Sequence, residues 1–279
     1  MPVSPIQLKL ARRIAYEVPD IDQKFPRWAK RSNPIVRRQL GPHWRVFPPE
    51  LAPIATWLTI NTVIILATIQ FPLLFLGIMI ALMLAAVAFV PILLLYGRTL
   101  IDIMRDATHS MAQEYENDTI NVLRTTPYSA HEIVLSKVAA SIWRRMDELV
   151  DLIAYTLTLG VSIIVTLQLN LYSPEEMPYV AQIMSLILMV ISVVRLPLEM
   201  FMVASIGVML GSTVRSRHSA FMSGLVLLFF YFLLLNFMRF IPMGWPARLF
   251  VEGVLPIGLA IAVSYGCIMF TTKTLRDDS

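Results

Sequence analysis

The sequence predicts an all-α membrane protein with six transmembrane helices. Three observations carry this prediction. Hydrophobic residues make up 57% of the 279 and charged residues only 15%, against about 45–50% and about 25% in an ordinary soluble domain, and mean hydropathy is +0.67. Uncharged apolar runs of bilayer length, about 20 residues, recur along the chain. With both termini placed in the cytosol, 20 of the 23 Lys and Arg fall on the cytosolic side, as the positive-inside rule requires.

The same composition excludes other classes. The single cysteine, Cys267, permits no internal disulfide. The four histidines are scattered and form no zinc-ligand spacing. No GxxxxGK[ST], GxGxxG or GxSxG motif occurs. The chain is therefore expected to be no enzyme and to hold no cofactor or metal of its own. The pI near 9.3 follows from membrane topology, so no nucleic-acid partner is expected. The polar first 50 residues do not read as a cleavable signal peptide.

Residues 1–50 form a cytosolic basic arm with ten Lys/Arg against four acids and eight of the 18 prolines. Proline at that density allows only short helices. The best helical candidate is 33–47, with Asn33 as N-cap and Pro34 at the first helical position. It is expected to lie at the membrane surface as an interfacial, elbow-like helix.

The six-span domain, 51–272, follows. The spans are expected at 51–71, 73–97, 149–169, within 179–213, at 220–240 and at 251–272. The fourth apolar run is too long for one pass, so a span at 190–213 preceded by an outer-surface helix is expected, with a kink at Pro197. A polar cytosolic tail, 273–279, ends the chain.

The cytosolic segment 98–147 is the most patterned. Leu100, Met104, Ala107, Met111 and Tyr115 recur at helical spacing, so the second span continues out of the membrane as an amphipathic helix. Asn117-Asp118 signals a turn and N-cap. A short helix at 119–124 ends before Thr125-Thr126-Pro127, because the residue before proline is pushed out of helical geometry. Ser129 and Glu132 then form a capping box that opens a helix towards the third span. Taken alone, this is either a plain αα-hairpin or a rigid lever.

Residues 111–138, MAQEYENDTINVLRTTPYSAHEIVLSKV, resemble a segment of ABC-2 type ABC-transporter permeases. The matching residues are Glu114, Thr119, Val122, Leu123, Thr126-Pro127, Ser129, Glu132 and Lys137. Weaker likenesses lie at 204–223 and at 33–45, where Gln39 replaces the family's commoner Glu. The resemblance implies a permease subunit, most naturally an exporter, at the plasma membrane. It further implies two copies of a separate ABC ATPase that binds ATP and magnesium, and a second permease, identical or homologous. The helix at 119–124, including Ile120, would be the coupling helix seated on that ATPase. The turn carrying Arg215 and Arg217 would be a second contact.

Arg195 and Glu199 lie four residues apart within the fourth run and share a helical face. They are expected to pair, either lining a path or subunit interface, or with Arg195 reaching the outer membrane surface. Gly207-xxx-Gly211 and Ala220-xxx-Gly224 predict close helix packing. The alternative functions are an ion-coupled carrier centred on Arg195 and Glu199, or a membrane scaffold. The absence of an internal repeat disfavours the carrier.

Overall fold

The computed structural model describes residues 25–41, 52–67, 74–171, 179–214, 216–239, 241 and 243–277, and these contain no strand. A 3-10 turn, Arg27–Ala29, precedes α1 (Pro34–Leu40), α2 (Ala52–Ala67), α3 (Leu74–Glu116), α4 (Ile120–Arg124) and α5 (Ala130–Trp143). α6 (Met146–Tyr155) and α7 (Val161–Leu171) are joined by a π-helical turn, Thr156–Gly160. After α8 (Val180–Thr213) and α9 (Arg217–Arg239), α10 (Trp245–Leu249) runs through a second π turn, Phe250–Val254, into α11 (Leu255–Asp277).

Five stretches are long and apolar enough to cross a membrane: Leu82–Glu116, Met146–Gln168, Val180–Thr213, Arg217–Met238 and Trp245–Asp277. The predicted first span corresponds to a shorter apolar helix, Ile54–Ala67, and the residues expected to complete it lie outside the described ones. Hydrocarbon supplies no hydrogen-bond partner, so polar side chains within these helices bond back to their own backbone. Thr59 donates to the Ala55 carbonyl at 2.9 Å, Asn61 to that of Trp57 at 2.8 Å and Ser192 to that of Leu188 at 2.7 Å.

α3 is the frame of the fold. Its 43 residues span ~64 Å at 1.5 Å per residue, about twice a bilayer core. The helix runs unbroken through Pro91. The predicted face is present: Leu100, Met104, Ala107 and Met111 are all buried in the main core.

The fourth apolar run differs from expectation. α8 is one continuous helix from Val180 to Thr213, passing through Pro197, so the stretch expected to form a separate outer-surface helix is its first part. Its two parts have different surroundings. In the first part, Ile183, Ile187, Val190 and Val194 form an exposed stripe at helical spacing. Beyond Met200 almost every residue to Gly211 is buried. This second part is apolar because protein surrounds it: α3, α5, α9 and α11 all pack on α8. The exposed stripe overlaps the start of the span expected at 190–213, and the whole of Val180–Thr213 is long and apolar enough to cross a membrane.

α3 and α8 run parallel. Tyr96 meets Glu199, and further along Gly207 lies against Ala107 and Gly211 against Thr108 and Met111. A Cβ on Gly211 would stand 2.5 Å from the Thr108 carbonyl oxygen, and one on Gly207 2.8 Å from the Ala107 Cβ. The small residues thus let two backbones meet, as their spacing predicts. Gly224 is less demanding, since its neighbour is the flexible Met104 side chain.

Three local details also depart from the sequence-based expectations. Asp118 is not an N-cap; it takes a left-handed turn conformation, φ 57°, and Thr119 occupies the cap position of α4. The return helix breaks at Arg144–Arg145, so α5 and α6 are separate. The tail stays helical to Asp277 because Leu275 is buried in the core.

Replacing Gly211 by Val is expected to overpack the α3–α8 contact and cost about 1–3 kcal/mol. Gly266→Ala, where an added Cβ meets nothing within 4 Å, is expected to leave stability unchanged or raise it slightly. Thermal unfolding of the purified protein in detergent checks both.

Candidate functional site

α3 leaves the bundle, α4 crosses its end and α5 returns, and each turn has a defined lock. Ser129 caps α5: its hydroxyl accepts from the Glu132 N–H at 3.2 Å, and the Glu132 carboxylate accepts from the Ser129 N–H at 3.1 Å. This is the predicted capping box. At the end of α4, the Thr125 hydroxyl donates to the Val122 carbonyl at 2.9 Å and the Thr126 hydroxyl to that of Leu123 at 2.5 Å. The Leu123 carbonyl is the one that Pro127, lacking an N–H, cannot serve in helical register.

Lys137 anchors the whole device. Its side chain is 0% exposed. Its Nζ donates to the Ser110 carbonyl at 2.9 Å and to Glu114 Oε1 at 3.1 Å. Glu114 also accepts from the Thr119 hydroxyl, and Arg38 approaches the same Oε1 at 3.8 Å. One carboxylate therefore ties together α3, the turn into α4, α5 and α1. Burial pulls the Lys137 ammonium down from 10.5 to about 8, with Glu114 offsetting part of that effect. Burial pushes the Glu114 carboxyl up, but Lys137, Thr119 and Arg38 outweigh it and leave its pKa below the usual carboxylate range. The sequence motif includes Lys137 but does not by itself give it a role. Its signal was a lone lysine among the aliphatics of a core-facing helix.

The lock leaves one apolar side chain of α4 outside. Ile120 and Leu123 are buried in the main core, whereas Val122 is 63% exposed. The candidates Ile120, Val122 and Leu123 are therefore not equivalent: two hold α4 onto the lever and one faces outward.

α1 docks on the same lever. Asn33 caps it, accepting from the Ile35 N–H at 2.9 Å, and donates to Ser136 Oγ at 3.1 Å. Val36 and Leu40 pack with Ala140, and Trp143 Nε1 donates to the Ala29 carbonyl at 2.9 Å. Gly41, at φ 55°, ends the helix, so the described part of the predicted 33–47 element is seven residues long; positions beyond Gly41 lie outside the described residues. Of the second candidate contact, Arg215 also lies outside them. Arg217 pairs with Glu116, fastening the start of α9 to the end of α3.

The break between α5 and α6 is held by charge. Arg144 reaches Asp106 at 3.5 Å, and Arg145 reaches Asp102 at 3.3 Å and Glu148 at 2.9 Å. Thr99 donates to the other Glu148 oxygen at 2.8 Å.

Arg195 and Glu199 pair as expected, with Nε to Oε1 at 2.5 Å. Their surroundings are more specific than the sequence implied. Glu199, 1% exposed, also accepts from the hydroxyls of Tyr96 on α3 and Tyr231 on α9, the latter at 3.0 Å. Phe232 packs edge-on against both tyrosine rings. The carboxylate therefore binds three helices. It stands level with Tyr96, two residues before Arg98 and the charged cluster, and so at the lever end of the bundle. The two tyrosines were not predicted; their signal was a polar tip inside an otherwise apolar span.

An apolar cleft of about 390 Å³ opens between α2, the start of α3 and the π turn before α7, lined by Trp57, Asn61, Gly77, Leu157 and Ser162 among others. Asn61 and Ser162 bond back to their own helices. Among the described residues no group of three or more His, Cys, Asp or Glu is placed to hold a metal ion.

Glu114→Gln is expected to strand a buried ammonium and cost about 3–5 kcal/mol, while Glu114→Gln/Lys137→Met recovers much of that loss. A double-mutant cycle in chemical denaturant measures both. The pH sign is fixed by the lowered Lys137 pKa. The folded chain releases this proton before the unfolded chain does, so stability rises between about pH 8 and 10.5. Lys137→Met is expected to remove that rise.

The sequence profile of the ABC-2 family transporter protein matches residues 103–247, more than half of the 279 residues. It runs from the lever through Glu114, α4, Lys137, Glu199 and the Gly207/Gly211 contact to the start of α10. No curated protein and no solved structure matches the chain. With five helices able to cross a membrane and a profile that covers both charged knots, the chain belongs to the ABC-2 family and is a multi-pass membrane permease of the ABC transporter type.

Proposed function

We propose that this permease moves its substrate outward across the plasma membrane, driven by two copies of a separate ABC ATPase that bind ATP and magnesium, and that it works as a pair with a second permease, identical or homologous. The chain crosses the membrane six times with both termini in the cytosol, α2 being the first crossing. α1 is the elbow helix at the cytosolic surface. α4 is the coupling helix, and the turn at Arg215 and Arg217 is the smaller second contact.

The observation that carries this reading is the exposed Val122 on a crosswise helix whose every other attachment is rigid. A groove on the ATPase that gripped Val122 and moved would turn α4. α4 cannot turn alone, because Thr119 is tied to Glu114, and Glu114 to Lys137. The motion would pass into α3 and α5, and from α3 into α8 through the Gly207 and Gly211 contacts. The ion-coupled alternative is less well supported: Glu199 is fully occupied by Arg195, Tyr96 and Tyr231, so a free carboxylate for a coupling ion is lacking there.

Val122→Asp is expected to abolish co-purification with the ABC ATPase and ATP-dependent transport, with the unfolding temperature unchanged because the site is exposed. Retained ATPase binding and transport in a folded Val122→Asp protein would refute the coupling assignment. Leu123→Asp is the contrasting variant and is expected to lower stability itself, since Leu123 is core.

A further inference from the structure

A second polar site lies beside the lever, separate from α4. A cavity of about 330 Å³ is bounded by α1, the lever part of α3, the α5–α6 break and the first residue of α9. Three guanidinium groups line it, from Arg38, Arg144 and Arg217. The two carboxylates in its wall are already engaged: Asp106 by Arg144 and Arg145, Glu114 by Lys137 and Arg38.

Three buried polar atoms on residues of this wall have no partner. They are both side-chain amide atoms of Gln39 and the Nε of Arg217. Leaving such atoms unpaired costs about 1–3 kcal/mol each, so an occupant whose hydrogen-bonding groups reached them would be favoured. Two unpaired donors among three guanidinium groups select an anion. The one unpaired acceptor, Gln39 Oε1, suits an oxyanion that still carries an acidic hydroxyl. Local electrostatics have the same sign. Burial holds His109, also in the wall, below its usual pKa, and Arg105 and Arg217 lower it further against Asp106 and Glu116.

We propose that this cavity binds a phosphate group, delivered either by the headgroup of an anionic lipid or by a soluble phosphate. An occupant here would join α1, α3, the α5–α6 break and α9 at one point, in addition to the packing, ion pairs and hydrogen bonds that already connect them. The binding measurement needs no ATPase, so its outcome is independent of the coupling assignment.

The test is ligand-dependent thermal unfolding of the full chain. One arm uses phosphatidylcholine nanodiscs with added inorganic phosphate, against chloride at matched ionic strength. The other uses nanodiscs containing phosphatidic acid. A stabilisation by phosphate alone assigns the soluble source; a stabilisation only with phosphatidic acid assigns the headgroup. In either case Gln39→Glu, which places a like charge against the anion, and Arg217→Gln are each expected to weaken apparent affinity about tenfold, the loss of one charge-assisted hydrogen bond. Gln39→Leu replaces Gln39→Glu if the latter does not fold. No stabilisation in either arm overturns the proposal, as does equal stabilisation of the wild type and the folded variants.

Discussion

Hydrocarbon offers no partner to a polar group, and the rest of this structure follows from that constraint. It makes the spans helical and turns their hydroxyls back on their own carbonyls. It also dictates how a charge is kept at depth. Glu199 is held by one guanidinium and two phenols from three helices, so a buried carboxyl group becomes a point of convergence instead of a liability. Lys137 obeys the same rule in the protein interior: an ammonium with no access to water takes Glu114 and the Ser110 carbonyl in its place.

These contacts fall in sequence along one column. Tyr96 with Glu199, Ala107 with Gly207, Thr108 with Gly211, Ser110 and Glu114 with Lys137, and Glu116 with Arg217 succeed one another along α3. Each joins α3 to a different partner or to a different depth of α8. Close-packed, polar-locked contacts of this kind do not deform smoothly. The extended half of α3 and the buried half of α8 therefore pack as one unit, while the first half of α8 keeps an exposed apolar stripe. In the proposed coupling, such a unit would carry a displacement at α4 to the level of Glu199 without needing a flexible relay. The basic cavity beside it is the one polar wall of the described lever with several unmatched atoms on adjoining elements.

Much of this was legible in the residues. The helical spacing from Leu100 to Met111, the Asn33-Pro34 start of α1, the Ser129–Glu132 box and the Gly207-xxx-Gly211 pair each encode a local geometry, and local geometry is set by nearby residues. The Arg195–Glu199 pair was legible for the same reason, being one helical turn apart. Lys137 with Glu114, the two tyrosines on Glu199 and the inward direction of Ile120 and Leu123 were not. They join positions 23 to 103 residues apart, and no short-range pattern records such a meeting.

The sequence by itself determined the class of the protein, its apolar segments, the distribution of its charge and the turns of its lever. Only the tertiary structure decided which apolar residues face lipid and which face protein. Hydropathy measures the cost of exposure to water, and that cost is relieved equally by a bilayer and by neighbouring helices. The long run from Val180 to Thr213 shows both environments: its first half keeps an exposed apolar stripe, and neighbouring helices enclose its second.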